Sequence, residues 1–454
     1  MKALKLSEIE SAVHGKRIRG DADVLIRGVS KDSREVSETE LFFPLKGEKQ
    51  DGHRFIPDAI RAGCGNFIVS DADAVPQGEA VNAILVDDVL TALQNLAAYY
   101  IRHFDMKKIA VTGSTGKTTT KDMVCHICEG HFKTAKSTAN MNNEIGLPLS
   151  ILAMDEGVQA GVFEMGMYTA GEIDLLAGIV RPDIGIITNI GTAHIRNFES
   201  QDGIRDAKLE IANYMGAGGS LVINTAGGLL TEECALGPYR LIKVGNTGKS
   251  DFILSGVEGG GENGVTFFLE HGDEMQRFFL PVLGAHNAMN AALAAAAVFC
   301  LGISMKGAAE SLEQYAVTNR LMGKNGMKVI DDTYNAGPDS MRAALDTLEN
   351  VRGIRKIAIL GDMNELGARS EEYHRQLGAY AAHKKVDVLI TVGEKATGIA
   401  AGARDAAPDL EILPFGTKDA AWEKMKHLLG AGDVILVKGS RGMEMETLVK
   451  RIME

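Results

Sequence analysis

No stretch of this chain holds an apolar run long enough to span a bilayer, so no membrane-crossing helix is expected. Its first residues, MKALKLSEIESAVHG, lack the uninterrupted apolar core of a secretory signal. Positive charge is in short supply: 48 Lys and Arg face 60 Asp and Glu, a formal net charge of −12. A general nucleic-acid binder needs a basic surface, so that class is set aside, while a local basic pocket for an anionic metabolite remains compatible. Cysteine is scarce as well. The five present, an odd number at irregular spacing, offer no disulfide framework and point to a reducing cytoplasm. Cys125 and Cys128 form one CxxC with His126 and His131 nearby. No second pair with zinc-like spacing follows and the stretch reads as helix, which weighs against a metal there. Internal repeats, low-complexity tracts and long linkers are missing too.

What is present has the balance of an ordinary globular protein, 45% hydrophobic and 24% charged, with 454 residues enough for about three domains. Over residues 1–105, short β-like runs (ELFFPL, GNFIVS, NAILVDD) alternate with helical stretches. Over 106–319, KKIAVT, AGVFEM, DIGIITNI and SLVINT are continuous apolar runs rather than alternating ones, as expected of parallel strands covered on both faces. FILSGV and VTFFLE predict an antiparallel excursion, and NAMNAALAAAAVFCLG a helix from Asn287 that Gly302 ends. Over 320–454, KIAILG, DVLITVG and DVILVKG alternate with helices, a second α/β unit of Rossmann-like kind. The expected class is therefore α/β in three domains.

The stretch VTGSTGKTTT, residues 111–120, has the context of a phosphate loop: a strand, a tight turn at Gly113, Ser114, Thr115 and Gly116, then a helix from Thr118. Two residues between the glycines, where the usual loop has four, make it short. Lys117 can reach the β- and γ-phosphates, and the Thr118 hydroxyl can ligate Mg²⁺. Glu164 ends a strand at the edge where open α/β sheets bind ligands, and His194 lies just past another. Lys208, in DAKLEIANYM, reads by composition as an ordinary surface lysine on a helix.

In this order, GSTGKTTT, NMNNEIGLPLSIL, EMGM, TNIGTAHIRNF and AKLEI resemble the Mur ligases, the ATP-dependent amide-forming enzymes of peptidoglycan precursor synthesis. Their phosphate loop is the shortened form. The resemblance extends through HNAMNAALAAAA, the NRL around Arg320, IDDTYNAGPDSM and ILGDMNELG, and DSREVSETELFFPLKGEKQDGHRF at the front resembles the family's uridine-binding domain. It implies a small α/β domain for the uridine nucleotide, a central ATPase domain on a mostly parallel sheet, and a C-terminal Rossmann-like domain for the incoming amine. NMNNEIGLPL, DDTYNAGPDSM and GDMNELG are in the style of the branch that adds D-alanyl-D-alanine to UDP-N-acetylmuramoyl-tripeptide through an acyl phosphate.

The resemblance also implies roles. Gly113, Ser114, Thr115, Gly116 and Thr119 would hold ATP with Lys117, which neutralises the transferred phosphoryl group. Thr118 and Glu164 would bind one Mg²⁺ and His194 a second, while Lys208 matches the lysine that becomes carbamylated. Asn287 and Asn290 would meet the adenine, Arg320 and Asp331 the phosphate and ribose, with Tyr334 and Asn335 beside the nucleotide. Ser33, Arg34, Asp51, Gly52 and His53 match the uridine diphosphate end, and Asn140, Asn142 and Asn143 the loop facing the muramoyl peptide. A cytoplasmic monomer is expected. The rival readings are a branch that adds a diamino acid, whose DNPR-type motif is missing here, a folylpolyglutamate synthase, and a switch that hydrolyses nucleotide without ligation.

Overall fold

The computed structural model describes every residue except 48, 78, 79, 139 and 316–320. Its centre is a nine-stranded sheet in the order Glu274–Leu280, Gly264–His271, Phe252–Gly261, Arg240–Gly245, Ser220–Asn224, Ile184–Ile187, Lys107–Thr112, Ala160–Glu164, Thr134–Lys136. Neighbours from Thr134–Lys136 through Phe252–Gly261 run parallel, and the last three strands are antiparallel. The apolar runs read from the sequence are these buried strands: all four residues of Ile184–Ile187 and all five of Ala160–Glu164 are buried. The antiparallel excursion carries a third strand, EMQRFFL, that its mixed polar pattern concealed.

Strand Lys107–Thr112 lies between Ala160–Glu164 and Ile184–Ile187, with Glu164 level with Val111 and Ile187 with Thr112. The chain passes to one side of it and then the other, so its C-terminal end opens at a topological switch point, where α/β sheets bind ligands. Helix Lys117–Glu129 packs against the alanine-rich helix Asn287–Phe299, whose small side chains permit close approach. Cys125 and Cys128 are buried in the core cluster that includes both helices. Burial pushes both thiols up to about 12, and no group of three or more His, Cys, Asp and Glu placed to hold a metal is found among the described residues.

The front sheet has the order Lys16–Arg19, Asn82–Leu85, Asn66–Val69, Glu40–Phe42, Gly28–Ser30. Helix Val89–Ile101 ties it to the central layer, where the Tyr100 hydroxyl donates to Met154 O at 2.8 Å. The third sheet has the order Leu321–Lys324, Met327–Asp331, Asp433–Lys438, Arg355–Gly361, Val388–Val392, Glu411–Phe415, parallel apart from its first pair. No described helix is long and apolar enough to cross a membrane.

Candidate active site

The loop after Lys107–Thr112 is held from one side. Ser114 N donates to Asn189 O (3.1 Å), Thr115 N to Asn189 Oδ1 (3.0 Å), Gly191 N to Ser114 Oγ (2.9 Å), and Thr188 Oγ1 to Thr115 O (2.5 Å). Thr188 and Asn189 stand at the end of the neighbouring strand, so the sheet's register itself shapes the turn. Gly116 has φ 78°, left-handed backbone, and heads the helix; a Cβ there would stand 2.5 Å from Asn290 Oδ1. A Cβ on Gly113 (φ 148°) would stand 1.8 Å from Thr188 Oγ1. Gly113→Ala must therefore displace the threonine that holds Thr115. Loss of about two hydrogen bonds at roughly 1 kcal/mol each corresponds to nucleotide binding weaker by about thirtyfold. Titration with a fluorescent ADP analogue checks this, and unchanged affinity would contradict the loop's assignment.

On the other side stands Glu164, 3% exposed. Its Oε2 accepts from Thr118 Oγ1 (2.8 Å), its Oε1 from Asn142 Nδ2 (2.9 Å), and its backbone N–H donates to Ser137 Oγ (2.9 Å). Lys121 Nζ is 3.6 Å from Oε2. The expected Thr118–Glu164 pair is thus brought together at the helix N-terminus, and Asn142 joins it. Asn143 Oδ1 instead accepts from Gly146 N, at the start of helix Gly146–Leu152, at 2.8 Å, and Asn140 O accepts from Asn142 N at 2.9 Å.

Three cationic or basic groups face one another nearby. Lys117 Nζ donates to Gly113 O at 2.7 Å, and burial pulls it below an ordinary lysine against the opposing pull of Glu164. Lys208, near the end of helix Gln201–Leu209, is 3% exposed, not the surface lysine its composition suggested. Burial first, then repulsion from Lys117, drives it well below the ordinary lysine range. His194 is lowered by burial, with Lys117 and Lys208 lowering it further and Glu365 opposing. Its backbone is left-handed (φ 62°), its Nδ1 lies 2.7 Å from Glu365 Oε2, and the Tyr168 ring meets it edge-on with centroids 4.7 Å apart.

Glu365 belongs to the third layer, which also brings Asp339 close to the loop: a Cβ on Gly191 would lie 2.4 Å from Asp339 Oδ2. Tyr334, 58% exposed, is raised by burial of its hydroxyl and by Glu164, so it too borders the cleft. Asp331 Oδ1 accepts from Thr333 Oγ1 (2.6 Å), and Asn335 Oδ1 from its neighbour Ala336 N (2.8 Å). Buried Lys438 ties the loop down through Asp332 Oδ2 (2.7 Å) and Asn335 O (2.8 Å). Arg320 lies outside the described residues. Asn287 and Asn290 are buried and bonded together, Nδ2 of Asn290 donating to Oδ1 of Asn287 at 2.9 Å, while Asn287 Nδ2 is spent on Leu283 O at 2.7 Å.

The uridine-end candidates lie in the front layer. Gly52 packs so closely that a Cβ would meet Leu45 O at 2.5 Å. His53 Nε2 accepts from Ser70 N (3.0 Å), so the ring proton sits on Nδ1 and donates to Asp51 Oδ1 (2.6 Å). Arg34 is exposed and doubly bonded to Asp32, while Ser33 is buried. No hydrogen bond or ion pair joins these residues to the phosphate loop among the described residues.

The sequence reading did not single out Thr188, Asn189, Lys121, Tyr168 or Glu365. The first two close the apolar run DIGIITNI and open the stretch TNIGTAHIRNF, and that was their signal. Together the cleft offers backbone N–H groups at a helix N-terminus, a lysine, a hydroxyl–carboxylate pair of hard oxygens, and two further basic side chains. Such a set suits a triphosphate and its divalent cation, because Mg²⁺ takes one or two carboxylates and completes its shell with phosphate and water.

Comparison with known proteins bears on that chemistry. Residues 111–298 match the Mur ligase middle domain, 318–441 the Mur ligase glutamate ligase domain, and 25–101 the Mur ligase family catalytic domain. The UDP-N-acetylmuramoyl-tripeptide--D-alanyl-D-alanine ligase of Bacillus subtilis is 39% identical, over 95% of this chain and 94% of that one. The crystal structure of MurF from Acinetobacter baumannii superposes with a TM-score of 0.91 at 31% identity, covering 100% of this chain and 99% of that one. MurF ligase from Thermotoga maritima in complex with ADP gives 0.82 at 27% identity, covering 93% and 96%.

Proposed function

We propose that this chain, which belongs to the Mur ligase family, is an ATP-dependent ligase that joins D-alanyl-D-alanine to UDP-N-acetylmuramoyl-tripeptide, releasing ADP and phosphate. The substrates are those in the names of its relatives. The observation that carries the reaction class is the meeting of Lys117, the Thr118–Glu164 pair, His194 and Lys208 around one phosphate loop.

A carboxylate is a poor electrophile and its oxygen a poor leaving group. Moving the γ-phosphoryl group of ATP onto it gives an acyl phosphate, which the dipeptide amine attacks with loss of phosphate. The transfer brings anionic oxygens together, so positioning and positive charge matter most. Backbone N–H groups of the 113–116 turn orient the phosphates, and Lys117 follows the transferring group. Thr118 and Glu164 would hold one Mg²⁺, and His194 with a carbamylated Lys208 a second; such cations would supply charge neutralisation. With the Glu365 carboxylate 2.7 Å from Nδ1 of His194, Nε2 is the ring nitrogen whose lone pair would be left to face a cation. Lys208 is suited to carbamylation, because only the neutral amine adds CO₂ and its burial favours that form.

Residues 1–105 would take the uridine nucleotide, 106–319 ATP, and 320–454 the dipeptide, in a cytoplasmic monomer. In the test, protein, ATP, Mg²⁺, the UDP-linked tripeptide and D-alanyl-D-alanine are incubated and the UDP-linked pentapeptide is scored by mass. Product only with both peptide substrates is expected. Phosphate release without either would favour a hydrolytic switch, and product from a UDP-linked dipeptide with a diamino acid would favour the other branch.

A further inference from the structure

Lys121 has no part in the reaction above, yet it is 1% exposed and sits beside the carboxylate that matters most. It follows Thr118 by three residues on helix Lys117–Glu129, so both side chains share a face. Its Nζ lies 3.6 Å from Glu164 Oε2 and 3.8 Å from Asp122 Oδ1. Asp122 is drawn closer to Lys136, at 2.8 Å, which leaves Glu164 as the group that Lys121 chiefly balances. Glu164 is gripped from three directions, by Thr118, Asn142 and Lys121.

We propose that Lys121 is a positioning residue that neutralises Glu164 in the nucleotide-free protein, so that the divalent cation enters with the nucleotide and not ahead of it. A carboxylate beside a fixed ammonium is a neutral pair, and a dication approaching it meets repulsion that a lone carboxylate would not impose. Burial removes the water that would screen this repulsion. The negative charge of a polyphosphate on the 113–116 turn reverses the balance. The inference rests on Glu164 being a Mg²⁺ ligand, as proposed above.

Mn²⁺ serves as the probe, followed by electron paramagnetic resonance with and without ADP. Wild type is expected to bind it weakly alone and at least about tenfold more tightly with ADP. Lys121→Gln and Lys121→Met are expected to bind Mn²⁺ alone about tenfold more tightly than wild type, while Lys121→Arg restores the wild-type pattern. In thermal unfolding without nucleotide, Mn²⁺ should raise the midpoint of the neutral variants and leave wild type unmoved. Tight nucleotide-free binding by the wild type overturns the proposal even if no variant folds. So do neutral variants that fold and bind Mn²⁺ as the wild type does. Glu164→Gln separates the two levels. If it loses the ADP-dependent Mn²⁺ site while the Lys121 variants behave as wild type, only this inference fails. If it keeps that site, the reading of Glu164 fails with it.

Discussion

Lys117→Ala is expected to lower turnover by about a thousandfold or more, the scale found when a cation is withdrawn from a transferring phosphoryl group. Lys117 follows Gly116 directly, at the first position of helix Lys117–Glu129, and its ammonium is anchored on Gly113 O. No other described side chain is hydrogen-bonded to Gly113 O. Loss of Lys117 has a second signature. Burial chiefly depresses His194 and Lys208 and the Lys117 charge adds to it, so the variant should move both groups part of the way back. Rate measurements with saturating substrates, paired with an NMR titration of the His194 ring, check both parts. Retention of a tenth of the wild-type rate, or an unmoved histidine, would remove Lys117 from the site.

On the role proposed for Lys208, Lys208→Ala should be almost as damaging, by about a hundredfold to ten-thousandfold, because a group that would hold a charge-neutralising cation is lost. If carbamylation is what matters, formate or acetate should restore part of the rate to the alanine variant, and CO₂-free buffer should slow the wild type. Stability offers an independent check. The folded protein holds the Lys208 proton less tightly than the unfolded chain, so between its depressed value and the ordinary 10.5 the unfolded state carries more protons. In CO₂-free buffer unfolding free energy should therefore rise with pH across that window, by at most about 1.4 kcal/mol per pH unit. Lys208→Met should flatten the rise. Parallel urea curves for the two proteins over that pH range would mean the lysine is not buried as an amine.

Much of this cleft could be read from the linear chain because its residues sit where local rules are strongest. A strand, two glycines and a lysine–threonine pair specify a turn with free N–H groups, and Glu164 was exposed as a candidate by ending an apolar run. Lys208 was different. Nothing in DAKLEIANYM distinguishes an inward lysine from an outward one, and family resemblance, not periodicity, marked it. Lys121 shows the limit more sharply: it follows the motif by one helical turn, and only the fold reveals that Glu164 lies opposite. Strands Arg240–Gly245 and Glu274–Leu280 escaped notice because their exposed residues interrupt the apolar pattern. Glu365 lies within the ILGDMNELG stretch, but its pairing with His194 could not be anticipated, since that partner is 171 positions earlier and on another layer.

That last contact has a mechanical consequence. His194 and Glu365 both adopt left-handed backbone without being glycine, and beside them Arg196 packs within 3.4 Å of where a Cβ on Gly367 would stand. An imidazole steered from across a seam reports the seating of its neighbour: were the C-terminal sheet to tilt away, the carboxylate 2.7 Å from Nδ1 would leave with it.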